Sequence, residues 1–261
     1  MYTHHTETIQ RVIQHFFADP EVTALLLTGS LAHGFANEGS DVDIAIIVSE
    51  AERARRAASG GLTFFSRELA GYEGGYVDAK YLSLDFLDQV ERRGSEPARY
   101  AFADARVLAS RVPDLVARVG RIARYPVEQQ AKRISQFRAQ LEAWHWYVGQ
   151  AADRRNDYLM LTAATKLSLF AGRLVLAHNQ MLYPYHKWFL RVLERAPAKP
   201  QGLLEAIAEL TARPSREAAR ALYDCVLGFH DWQTGGDPWG HRFMLDTELS
   251  WMNGVAPIED V

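Results

Sequence analysis

Every strand candidate in this 261-residue chain lies before residue 110, and beyond Pro113 the pattern is helical throughout. Short apolar, β-branched runs between turn residues mark strands, whereas apolar residues recurring every three or four positions mark helices. The strand runs are 22–28 (VTALLLT), 41–48 (DVDIAIIV), 62–67, 75–82 (GYVDAKYL) and 105–109. Helical patterns fall at 6–17, 50–58 and 83–90, the last capped by Ser83, and then at 113–123, 127–150, 154–178, 185–195, 201–211 and 214–232. Strands mixed with helices and followed by helices alone predict an α+β protein. The expected organisation is a small mixed-sheet domain over residues 1–110 and an all-α helical bundle over 111–261, closed by an irregular but docked tail from Gly235.

The chemistry concentrates in the first half. Leu27-Thr28-Gly29-Ser30 is followed, after ten residues, by Asp41-Val42-Asp43-Ile44. Side chains alternate along a strand, so Asp41 and Asp43 share one face while Val42 and Ile44 enter the core from the other. Two carboxylates so placed repel unless a cation joins them, and carboxylate oxygens suit Mg²⁺. Gly29-Ser30 ends a strand and opens a helical turn at 30–35, offering backbone N–H groups and a hydroxyl to phosphate oxygens. A cation site beside a phosphate cradle points to a nucleoside triphosphate. Asp78, in Tyr76-Val77-Asp78-Ala79-Lys80, is expected on a neighbouring strand as a third acid. Its expected burial calls for a cation partner, with Lys80 on the same side as the alternative to a metal.

Other nucleotide frames lack support. Gly29 and Gly34 have P-loop spacing, but Phe35 stands where that motif needs Lys, and no G-x-G-x-x-G occurs. The nine His show no zinc-ligand spacing, and His4-His5 is expected at the surface. The net charge of −3 argues against a nucleic-acid partner. It conceals an asymmetry: ten basic and sixteen acidic side chains up to residue 110, against nineteen and sixteen after it. The single Cys225 allows no internal disulfide, so a reducing, cytoplasmic compartment is expected. No uninterrupted apolar run reaches the roughly 18 residues of a membrane span.

The stretch TGSLAHGFANEGSDVDIAII resembles the signature of the polymerase-β-like nucleotidyltransferase superfamily, with Asp78 at its third acidic position. The resemblance covers residues 20–90 closely; the helical half is more loosely similar to the C-terminal domain of antibiotic (aminoglycoside-type) nucleotidyltransferases. It implies that Gly29 and Ser30 contact the triphosphate, that Asp41 and Asp43 hold Mg²⁺, and that Asp78 completes the metal site or acts as base. Ser40, immediately before Asp41, is a further candidate for nucleotide contact. Many relatives carry Arg two residues before the second Gly of the loop; this chain has Leu31 and His33 in that region, so which cation supports the phosphates from the loop stays open. The implied reaction moves a nucleoside monophosphate, AMP from ATP, to a hydroxyl of a small molecule with two Mg²⁺ ions and pyrophosphate release.

The helical half is expected to supply cations for the departing pyrophosphate. Lys187 follows a Pro184 turn at a helix start, and Lys166 sits mid-helix in apolar company. Each is equally readable as a solvated or snorkelling surface side chain. Trp144 falls on an apolar stripe with Phe137, Leu141 and Val148 and is expected in the core. Two alternatives of other classes follow: a catalytically silent nucleotide-binding or regulatory module, and a HEPN-like ribonuclease suggested by Arg173…His178 and Arg138…His145.

Overall fold

Alternation along the two most apolar runs sorts their side chains onto the two faces of one sheet. In the computed structural model these runs form β1 (Val22–Leu27) and β2 (Val42–Val48), paired antiparallel. β3 (Thr63–Ser66), β4 (Val77–Ser83) and β5 (Arg106–Ser110) complete a sheet in the order β3-β4-β2-β1-β5. β2 and β4 run parallel; the other neighbours are antiparallel. The structure describes residues 1–232, 236 and 238–258, and the chain divides into two units, Met1–Arg124 and Tyr125–Val261.

One face of the sheet packs Leu25, Leu27, Val42, Ile44, Ile46, Val77 and Ala79 against Ile9, Val12 and Phe16 of α1 (Thr3–Phe16). The other presents Ala24, Leu26, Ala45 and Ile47 to Leu87 and Val90 of α4 (Leu84–Arg93), and to Leu115, Val119 and Ile122 of α6 (Leu115–Ile122). Between the strands lie α2 (Gly29–Ala32) and α3 (Glu50–Ala58). The hydroxyls of Ser49 and Ser83 accept the amides of Glu52 and Phe86, capping α3 and α4. A further helix, α5 (Glu96–Tyr100), lies where the apolar spacing gave no signal; its start is marked by the Ser95 cap and Pro97.

The units part at Arg124/Tyr125, fourteen residues beyond the boundary expected at 110/111. The cause is α6. Its apolar face is buried on the sheet, and Arg99 of α5 donates to the Ile122 carbonyl at 3.3 Å, so this helix belongs with the strands.

The second unit is built on α7 (Gln130–Arg154) and α8 (Asp157–His178), joined by Arg155 at φ 49° and by Asn156, whose side chain caps α8. A link this short makes the pair an antiparallel hairpin. α9 (Phe189–Glu194), α10 (Leu203–Ala212) and α11 (Arg216–Leu227) follow. Gly172 of α8 is required by packing, because a β-carbon there would overlap the Phe189 ring. α8 is long and apolar enough by composition to cross a membrane, although Lys166 and Arg173 interrupt its apolar run. In this structure 67% of its apolar window is buried, as in the central helix of a bundle.

The tail expected to be irregular contains a helix, α12 (Trp239–Asp246), and a 3₁₀ turn at Ser250–Asn253. Phe243 docks α12 on α7, with its ring 6.0 Å from Trp144 and 6.2 Å from Tyr147. Residues 233–235, 237 and 259–261 of that tail lie outside the described residues.

Candidate active site

Parallel pairing of β2 with β4 sets Asp43 directly opposite Asp78. Neighbouring strands lie about 4.8 Å apart, so the two carboxylates leave the same sheet face side by side. They stand at the first turn-ward positions of their strands, ahead of Ala45 and Ile47, which α4 and α6 cover. Both are half-buried, so Asp78 is less enclosed than its apolar neighbours suggested. Lys80 is exposed and, among the described residues, makes no ion pair with Asp78.

β1 ends against the same pair. The Thr28 amide donates to the Asp43 carbonyl at 3.0 Å, and the chain then turns at Gly29 with φ 64°. A β-carbon at Gly29 would occupy the position of the Asp43 carboxylate, so glycine is needed both for the turn and for the close approach. Next to it Ser30 is buried, and its Oγ has no hydrogen-bond partner among the described residues. A hydroxyl left so costs about 1–3 kcal/mol, and an oxygen-rich ligand would remove that cost.

Asp41 precedes β2 by one residue and meets the hydroxyl of Tyr76, which precedes β4. The Tyr76 phenol is held above its ordinary pKa chiefly by its hydrogen bond to Asp41 and by that charge, then by burial, with smaller contributions from Asp43 and Asp78. The one phenol thus senses the charges of all three acids. Among the described residues no three carboxylate, imidazole or thiol groups are already gathered as a ligand cluster. Mg²⁺ is ordinarily held by one or two carboxylates together with substrate phosphates, and these hard oxygen donors fit that arrangement.

The other expected site residues are placed differently. Ser40 is engaged inside its own loop: its Oγ accepts the Asn37 amide at 2.9 Å and donates to Asn37 Oδ1 at 3.3 Å. Lys166 and Lys187 both belong to the second unit, over the rings of Trp144 at 5.3 Å and Trp188 at 4.9 Å. The Arg…His pairs of the ribonuclease pattern are built into the second unit. Arg173 is buried and donates to the Ile258 carbonyl at 2.9 Å, while His145 stacks on Tyr223 at 4.2 Å.

His5 overturns the expectation of a surface His4-His5 pair. It is fully buried, and its Nε2 lies 3.0 Å from the Ser40 carbonyl. Nothing in the local sequence marks it, since its neighbours Tyr2, His4 and Glu7 are polar. Tyr76 is likewise absent from the sequence-derived site, although its position two residues before Asp78 is a usable signal once β2 and β4 are known to pair in parallel.

Residues 9–99 match the model of the nucleotidyltransferase domain, a span that contains Gly29, Ser30 and all three acids. Over those residues the first unit is similar to that family. Across the whole chain, a nucleotidyltransferase-like protein from Exiguobacterium sibiricum 255-15 is similar at 12% identity, with 96% of this chain and 87% of that one covered and a TM-score of 0.46. No curated protein matches the sequence. The matched span lies within the acidic half of the chain and ends before α6.

Proposed function

We propose that the protein transfers a nucleoside monophosphate, AMP from ATP, to a hydroxyl of a small molecule, in the manner of a polymerase-β-like enzyme of the antibiotic-modifying type. The observation that carries this reading is the packing of Gly29 against the Asp43 carboxylate, with Asp78 in register beside it and the unpartnered Ser30 hydroxyl adjacent. Gly29 and Ser30 receive the triphosphate, and Asp41 and Asp43 hold Mg²⁺. A metal held by these carboxylates would neutralise phosphate charge and favour the deprotonated acceptor hydroxyl. The acceptor oxygen attacks the α-phosphorus in line as the bond to pyrophosphate breaks, and Asp78 takes the hydroxyl proton. Asp41, tied to Tyr76, stays fixed through the step and contributes orientation.

Lys166 and Lys187 of the second unit stay candidates for nucleotide contact, with raised KM for ATP in K166Q or K187Q as their signature. A near-neutral chain favours a small acceptor over a nucleic acid, and dependence on ATP fits the cytoplasm.

The test is pyrophosphate release from Mg·ATP over a panel of hydroxylated compounds, with Asp41→Ala and Asp43→Ala as controls. Release that both substitutions abolish while the thermal unfolding curve is retained supports the reading. Full activity in either variant, or Mg·ATP binding without release on every acceptor, sinks it.

A further inference from the structure

The loop that delivers Asp41 is gripped from outside the sheet. His5, in the first turn of α1, has its Nδ1 3.4 Å from the Tyr2 amide, which donates to it. That contact fixes the tautomer: Nε2 carries the proton and donates to the Ser40 carbonyl at 3.0 Å. The Tyr72 hydroxyl donates to the same carbonyl, so both lone pairs of one oxygen are used. His4 donates from Nε2 to the Glu38 carbonyl at 2.9 Å, and the rings of His4 and His5 lie 4.4 and 5.4 Å from Tyr72. Ser40 is bonded to Asp41, whose carboxylate meets Tyr76, and the Val42 amide then joins the Tyr76 carbonyl at 3.0 Å.

Such an arrangement exceeds what loop closure needs. The Asn37–Ser40 turn already has its own hydrogen bonds, between the Ser40 amide and the Asn37 carbonyl at 3.2 Å and through the Ser40 hydroxyl. The two extra donors converge on the one carbonyl whose position sets where the Asp41 side chain begins. His5 is also fully buried, in a turn otherwise occupied by exposed and half-buried residues.

We propose that His5 and Tyr72 are positioning residues for the cation site: by clamping the Ser40 carbonyl they hold Asp41 where its carboxylate can serve as a ligand, and so set divalent-cation affinity. The proposal rests on the reading of Asp41 as a cation ligand given above. Neither residue touches the reacting atoms; each acts through Ser40.

Binding of Mn²⁺ in the presence of ATP, followed by electron paramagnetic resonance without any acceptor, tests this in the full chain. Wild type is compared with D41N, Y72F, H5L and H5Q, with amide exchange over residues 37–43 measured in parallel. The expected result is Mn²⁺ affinity lowered about tenfold in D41N, Y72F and H5L, the range typical of groups that orient a metal ligand. H5Q keeps an Nε2 donor at similar reach and is expected to restore affinity and amide protection. Y72F removes only a hydroxyl from an intact ring, so it decides the matter if H5L fails to fold. Affinity lost in D41N but unchanged in Y72F and H5L overturns the clamp alone. Affinity unchanged in D41N overturns the assignment of Asp41 and the clamp with it. H5Q as weak as H5L overturns the hydrogen bond as the cause.

Discussion

Gly29 and Asp43 are packed so closely that a β-carbon on the first would take the place of the carboxylate of the second. Gly29→Ala combines this overlap with a left-handed φ of 64° that alanine adopts at a cost of about 1–2 kcal/mol. Nucleotidyl transfer is expected to fall at least about 100-fold, the loss characteristic of a displaced group in a preorganised site. Pyrophosphate release measures the first effect and thermal unfolding the second. An alanine variant with wild-type turnover removes the contact as a functional feature.

Asp78, side by side in register with Asp43, should behave oppositely in stability and in activity. Asp78→Asn relieves like-charge repulsion in the metal-free protein, so its unfolding midpoint in chelator is expected to hold or rise. Transfer is expected to drop by about 100-fold or more if the carboxylates orient and charge the site. A variant that loses stability in chelator identifies the acid as a structural partner instead.

Tyr76 reports on the acids beside it. Its phenol is held above the ordinary value, with Asp41 the main cause. In Asp41→Asn that restraint is removed, so the Tyr76 phenol is expected to titrate at lower pH than in wild type, followed by NMR of ring-labelled tyrosine. No downward movement contradicts the hydrogen bond between the two.

In the second unit, burial holds the His145 imidazole below its ordinary pKa, with Glu142 and Asp224 opposing and Arg220 assisting. Its stacking partner Tyr223 is pushed up to about 12, first by burial and then by donating to Glu142, so it stays protonated throughout the relevant range. As pH falls below about 6.5, the unfolded chain takes up a proton that folded His145 resists. The unfolded state then binds more protons, and stability decreases with acidification. His5 and His178 carry shifts of the same sign. Urea midpoints between pH 7.5 and 5 are expected to fall in wild type and to fall less steeply in His145→Phe. Equal slopes refute the assignment.

Arg173 is buried at 2% exposure, with its guanidinium carbon 4.4 Å from the Phe137 ring and 4.8 Å from that of Tyr183, and Nη1 bound to the Ile258 carbonyl. Arg173→Ala removes the volume and leaves that carbonyl without its donor, an expected loss of about 2–4 kcal/mol in urea unfolding. A loss below about 1 kcal/mol would show that the tail detaches without consequence for the bundle.

The strands, the long helices and the motif around Gly29, Asp41 and Asp43 were legible in the sequence because they rest on local regularities: period-two burial, period-3.6 burial and a short fixed spacing. Val42 and Ile44 point into the α1 face as alternation requires, which leaves Asp43 on the other. Pairing partners are not local. That Asp78 lies opposite Asp43, and not one residue out of register, follows from the parallel β2–β4 ladder, and a slip of one would have turned it to the opposite face. Likewise α6 reads as the first helix of the bundle, yet its apolar face is satisfied by the sheet. His5 and Tyr72 lie 35 and 32 residues from the carbonyl they share, and only the folded chain brings them together. The sequence by itself determined the strands, the long helices and which acids are available. The tertiary structure decided which of those acids meet and what holds them, because hydrogen bonds and like-charge contacts depend on distances that only long-range pairing sets.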